Sequence, residues 1–134
     1  AKIAAIGVYV PRYRIAAAEI NAAWGRSGGK GQKAVASQDE DALTMGIRAA
    51  QSCLQHANIE KKSVGAIYFA SVSSGYSEYA LASQAASVLG LDHGVSAADF
   101  GLTTRGVTSA LMAAVDAIGA GRVRHALVIA SDRL

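Results

Sequence analysis

Charge, sulfur and aromatic rings are all scarce in this chain of 134 residues: charged residues make up 17% and aromatic residues 6%. Few rings among many small residues argue against a large ligand cavity within the chain and for helices packed closely on a sheet. The single cysteine, Cys53, excludes an internal disulfide. It falls one turn beyond Ala50 and one before Ala57, so it reads as a small, half-buried helix residue rather than a nucleophile. His56, His93 and His125 have no metal-ligand spacing, and no metal is expected. No apolar run is long enough to cross a bilayer, and no membrane association is expected. The short N-terminal apolar run is broken by Pro11-Arg12-Tyr13-Arg14 and does not follow a signal-peptide pattern, so a cytoplasmic protein is the expectation.

What the chain does have is a 51% apolar fraction dominated by alanine and glycine, which suits one compact domain by size. Strand and helix signals alternate along it. Ile3 to Val10 reads as a short strand ended by Pro11, Ala16 to Trp24 as a helix, and Gly25 to Gly31 as a glycine-rich loop. Ser37-Gln38-Asp39-Glu40 has capping-box spacing, and Leu43, Ile47, Ala50, Leu54 and Ala57 recur at helical intervals to about Asn58. Val64 to Ser71 is the next strand, Ser77 to Leu89 a helix stopped at Gly90, and Val95 to Phe100 a strand. A mostly apolar helix then runs from Gly106 to Gly119 and Gly121, and His125 to Ser131 closes as a strand. Strands joined through helices predict an α/β layer with a mainly parallel sheet and helices on both faces. The helix from Gly106 is apolar around most of its circumference, so it is expected to be central and covered on several sides.

Between the strand and helix signals that flank it, the stretch Ala98 to Gly106 forms an elbow of the kind that mounts nucleophiles. It offers only an alcohol, Thr104. The partial positive charge of a helix N-terminus can bring a cysteine into a useful range but is far too weak to ionise threonine. A base would be needed, and the nearest carboxylate in sequence is Asp99.

Lys2, Arg12, Arg14, Arg26, Lys30 and Lys33 stand against Glu19 alone in the first 33 residues, a net of +5 in a chain of +3 overall. A basic, glycine-rich segment suits a phosphate-bearing partner, or is ordinary surface solvation. Aromatic residues are not interleaved with these charges, so nucleic acid is not expected.

The order and spacing of several segments resemble the thiolase superfamily, nearest to its hydroxymethylglutaryl-CoA synthase and ketoacyl synthase III branch. They are Ile6-Gly7-Val8-Tyr9-Val10-Pro11-Arg12-Tyr13-Arg14-Ile15, Trp24-Gly25, Asp39-Glu40-Asp41-Ala42-Leu43-Thr44-Met45, Ala70-Ser71-Val72-Ser73, Asp99-Phe100 and Ala126-Leu127-Val128-Ile129-Ala130-Ser131-Asp132. The resemblance implies a thiolase-like fold of two similar halves around two central helices. Residues 1–134 would be the first half, incomplete without a partner segment that supplies a return strand and further catalytic residues. It also implies a coenzyme A thioester as substrate, and dimerisation through the strand near Val95 to Phe100. An OB-fold zinc-ribbon protein is a further partner implied for this branch.

Two departures from that pattern bear on the chemistry. Thr104 stands where those synthases carry the acylated cysteine, and Val72 where the hydroxymethylglutaryl branch carries a glutamate acid and base. Acyl-enzyme condensation is therefore not assigned; the expectation is carbon-carbon bond making or breaking, by acyl transfer or a retro-aldol route, without a cysteine intermediate. The alternative is a non-catalytic subunit or scaffold supporting an active partner. Candidate substrate-binding residues are Arg12, Trp24, Lys30, Ser71, Ser73, Tyr76 and Arg105. Each has a plainer reading: Trp24 stacks on adenine or packs locally, and Ser71, Ser73, Ser74 and Tyr76 meet a ligand or merely turn the chain. Arg105 pairs with Asp99 or contacts an anionic acyl-CoA group. Asp39, Glu40 and Asp41 read as a helix N-terminal cluster.

Overall fold

The computed structural model describes residues 1–75 and 78–133. The fold is organised by Val64–Ser71 (β3), a run of eight residues whose side chains are buried on both sides. Such a strand needs partners on both edges and cover on both faces. Ser96–Gly101 (β4) pairs with one edge and His125–Ala130 (β5) with the other, both parallel, in the order β4-β3-β5. Parallel pairing requires crossovers, and these are the helices Leu81–Leu89 (α3) and Gly106–Gly119 (α4).

The period of two along β3 divides the core. Ile67 and Phe69 face Ala42–Ala57 (α2) and α3, in a cluster with Ile47, Ala82, Ala85, Leu89 and Ile129. Ala66, Tyr68 and Ala70 face α4, packed on Ala110 and Ala114. Tyr68 meets Phe100 edge to face, with ring centroids 5.7 Å apart. Helices thus cover both sheet faces. The outer side of α4 remains open, with Met112 64% and Val115 53% exposed.

Helix ends follow local chemistry. Asp41 caps α2: its Oδ1 accepts from Thr44 N at 2.8 Å, while Thr44 Oγ1 accepts from Asp41 N at 2.9 Å. The helix therefore starts at Ala42, four residues later than the box expected at Ser37. The Ser37–Glu40 pair exists, with Glu40 Oε2 accepting from Ser37 N, but it closes the preceding turn. Asn58 ends α2 in the left-handed region at φ 50°, and Gly90 ends α3 at φ 67°.

A further expectation is corrected. Ile3 to Val10 is not a strand: it runs beside α2, with Cys53 Sγ donating to Ala5 O at 3.5 Å and Gly7 directly against the helix backbone at Ala49 and Cys53. An apolar cleft of about 500 Å³, lined by residues 1–7, β5 and side chains of α2 and α4, takes the place of the hydrogen-bonded neighbour that a strand needs. Its outward residues Ile3, Ile6 and Val8 stay more than 70% exposed. The helix expected from Ala16 to Trp24 is present as the seven-residue Ala17–Ala23 (α1), and a short antiparallel ribbon that was not expected flanks it, Tyr13–Ala16 (β1) with Gln32–Val35 (β2). No described helix is long and apolar enough to cross a membrane.

Gly46 seats α2 on the sheet: a Cβ there would lie 2.8 Å from both Phe69 Cζ and Ile129 Cγ2, which are fixed in the core. Gly46→Ala is expected to cost about 1–3 kcal/mol through overpacking, despite alanine's better helix propensity, measured as a lower urea midpoint at unchanged m-value.

Candidate functional site

The C-terminal ends of parallel strands are where α/β sheets hold their ligands, because crossovers that leave adjacent strands for opposite faces open a crevice there. In this chain β3 and β4 end in register, Ser71 opposite Gly101. The turn after β3 and the elbow after β4 therefore leave the sheet side by side, with residues 131–133 following from β5.

The elbow is sharp and strained. Leu102 takes φ 60° and is fully exposed, a backbone region that leucine seldom enters. Arg105 N donates to Thr103 Oγ1 at 3.2 Å, and α4 starts at Gly106. Only glycine fits at this start, since a Cβ would lie 2.6 Å from Phe100 O. Thr104 is exposed at the head of α4. Among the described residues no basic side chain is hydrogen-bonded to its hydroxyl, so the activation an alcohol needs is missing from this half of the site.

Asp99 does something other than pair with Arg105. Its Oδ2 accepts from Leu81 N and its Oδ1 from Ala82 N, both at 2.7 Å, so a β4 side chain caps α3 across the sheet edge. Arg105 instead stands at the N-cap position of α4 with no side-chain cap bond, exposed beside Thr104.

A second carboxylate holds the turn after β3. Asp132 Oδ1 accepts from Val72 N at 2.7 Å and, at 3.0 Å each, from Ser73 N, Ser71 Oγ and Ser73 Oγ. The two hydroxyls are used again: Ser71 Oγ accepts from Ser73 N at 3.2 Å, and Ser73 Oγ from Arg133 N at 2.8 Å. Ser71 is 6% exposed, so its hydroxyl depends on this partner. Burial pushes the Asp132 carboxyl up, but the bonds donated by Val72 N, Ser73 Oγ, Ser71 Oγ and Ser73 N outweigh it and hold the group below its ordinary value.

Among the described residues no hydrogen bond or ion pair joins the basic N-terminal candidates to this edge. Arg12 stacks 5.2 Å over the Tyr13 ring, and Arg12, Lys30 and Trp24 are exposed, Trp24 at 78%. Trp24 therefore packs little against the described residues. None of the three lines the cleft beside β5 or the smaller cleft of about 420 Å³ that brings Lys33, Asp132 and Arg133 together. Tyr76 lies outside the described residues. Ser71 and Ser73 belong to the turn and the Asp132 network. Glu40, which accepts from Tyr9 Oη and Ser37 N, sits below its ordinary value for that reason, and it ties the N-terminal segment to the α2 entrance.

Asp132 titrates lower in the folded chain than in the unfolded one, so its bonds contribute fully above pH about 4 and are lost as pH falls through the folded value. The amide proton resonances of Val72 and Ser73 are expected to move together in acid, below pH about 4, in a two-dimensional NMR titration. Amides of the β3 interior should stay in place.

The family model described as thiolase, N-terminal domain, matches residues 25–132. The hydroxymethylglutaryl-CoA synthase of Thermococcus onnurineus is 40% identical over 97% of this chain, which spans 37% of that protein's length. A priming β-ketosynthase from a polyketide biosynthetic pathway superposes with a TM-score of 0.87 at 26% identity, over 98% of this chain and 41% of its own. OleA of Xanthomonas campestris, solved with lauric acid and lauroyl-CoA, superposes with a TM-score of 0.85 at 22% identity over 96% of this chain and 42% of its own, a likeness of fold. The chain thus spans about two fifths of the relatives it matches. It belongs to the thiolase superfamily, as an N-terminal half from the hydroxymethylglutaryl-CoA synthase and ketoacyl synthase III branch.

Proposed function

We propose that residues 1–134 form the N-terminal half of a thiolase-like domain that handles a coenzyme A thioester and makes or breaks a carbon-carbon bond, by acyl transfer or a retro-aldol route, without an acyl-cysteine. The observation that carries this reading is the elbow, a strained turn and a helix start beside the β3 turn; by the resemblance, Thr104 and Val72 stand there where the branch carries its cysteine and glutamate. The superfamily membership supports the acyl-CoA class, and Thr104 and Val72 in place of cysteine and glutamate favour a route without an acyl-enzyme.

The remainder of the fold, as a continuation or a separate chain, is proposed to cover two surfaces. One is the cleft beside β5, where an added extended segment would gain backbone partners; the other is the exposed side of α4. The remaining catalytic groups would come from there. The adenine nucleotide of coenzyme A is proposed to meet the N-terminal region, where Trp24 offers an open ring and Arg12 and Lys30 offer charge. A second reading, a supporting subunit without catalysis, draws on the lack of a base at Thr104. An OB-fold zinc-ribbon partner, dimerisation and a place in lipid metabolism in the cytoplasm accompany the proposal through the branch alone.

Two measurements on the assembled protein test it. Incubation with acetyl-CoA followed by intact-mass analysis is expected to give no acetyl adduct, and Thr104→Val is expected to keep carbon-carbon bond turnover within about twofold. An adduct removed by that substitution would make Thr104 a nucleophile after all, and absence of turnover would favour the supporting subunit. By calorimetry, Trp24→Ala is expected to weaken acetyl-CoA binding about tenfold, in line with base stacking worth about 1–3 kcal/mol. Unchanged affinity would move the nucleotide elsewhere.

A further inference from the structure

We propose that Asp132 is the positioning residue of the sheet's C-terminal edge: it fixes the turn carrying position 72 beside the elbow carrying position 104, and the placement of that turn sets the affinity for the acyl thioester.

The β3-β5 ladder ends at the pair Ala70 and Ala130, after which the backbones separate. Ser131 N still donates to Ala70 O at 3.1 Å, and beyond it the connection between the two strand ends passes through the Asp132 carboxylate and the serine it bonds. Successive amides, Val72 N and Ser73 N, point at one oxygen together with two hydroxyls, an anion nest filled by the chain's own carboxylate. Four donors on one oxygen favour a charged acceptor; a neutral amide oxygen offers similar lone-pair directions without the net charge that draws four donors together. The charge of aspartate therefore suits this nest better than a neutral polar residue.

The consequence reaches the elbow through β3. Ser71, one of the four donors, lies opposite Gly101 in the β3-β4 register, and Val72 and Leu102 are the next residues on the two sides. Val72 is half-exposed at 41%, and its amide is held at 2.7 Å by Asp132. Releasing that amide frees the turn to move relative to residues 102–105, which remain tied to α4 by Gly106 N donating to Thr103 O at 3.0 Å. Asp132 touches no reacting group in this account; it acts through the turn. The affinity part of the inference rests on the acyl-CoA reading above, whereas the clasp itself does not.

The test uses the assembled protein with Asp132→Ala, Asp132→Asn and Asp132→Gly, each read by amide hydrogen exchange and by acetyl-CoA calorimetry. In Asp132→Ala, exchange at Val72 and Ser73 is expected to accelerate at least tenfold while α3 and the β3 interior keep their protection, and affinity should fall about tenfold. Asp132→Asn should lie between wild type and alanine in both. Asp132→Gly should regain part of the lost affinity in formate, an anion small enough to refill the nest, and none in matched chloride; a passive structural role would not respond to formate. Unchanged exchange at Val72 and Ser73 in Asp132→Ala overturns the clasp. Faster exchange with unchanged affinity overturns the positioning role. If wild type itself does not bind acetyl-CoA, the acyl-CoA reading falls and takes the affinity part with it, while the exchange result alone still decides the clasp. Should the alanine and glycine variants not fold, Ser73→Ala removes one hydroxyl donor from the nest, and equal exchange at Val72 in that variant and wild type would count against the clasp.

Discussion

One strand with no solvent-facing side governs this molecule. β3 is paired on both edges and covered on both faces, so its eight residues fix the position of every other element of the main sheet. The alternation of its side chains decides which helix meets which layer. Ile67 and Phe69 claim α2 and α3, and the smaller Ala66 and Ala70 allow α4 to approach closely on the other face. The same strand delivers Ser71 to the sheet edge, so the geometry of the candidate site is an extension of core packing.

The edge is then assembled by two aspartates with unlike tasks. Asp99 reaches sideways from β4 to the first amides of α3, and Asp132 reaches back from the end of β5 to the turn after β3. Each carboxylate satisfies backbone amides that would otherwise face solvent or remain unpaired at an irregular chain reversal. Acidic groups in this region therefore serve the backbone, and the chemistry proposed for the site has to draw on groups brought by the rest of the fold.

What was legible in the sequence was whatever repeats locally. The spacing of Leu43, Ile47, Ala50 and Leu54 gave away α2, and the unbroken apolar run of Val64 to Ser71 marked a strand buried on both sides. The elbow was visible because its two neighbours carry strong opposite signals. The ribbon of β1 and β2 was not, since each strand has four residues, largely exposed, with no clear apolar alternation. Ile3 to Val10 was misread for a different reason: its residues favour an extended chain, but strand formation is a property of two backbones, and the second is not in reach. Asp41 was overlooked as the cap because Ser37 offers the same spacing four residues earlier. The bonds of Asp99 and Asp132 join residues 17 to 61 positions apart, and no local pattern encodes such pairs.

The free edge of β5 has a consequence for the molecule in bulk. Its unpaired carbonyls and amides border an apolar floor, and no lysine or proline interrupts the run from His125 to Ala130. Natural sheets guard exposed edges with such devices, since a bare edge recruits strands from neighbouring molecules. A strand laid along that edge, from the rest of the fold, would satisfy those groups and cover the apolar floor in one step.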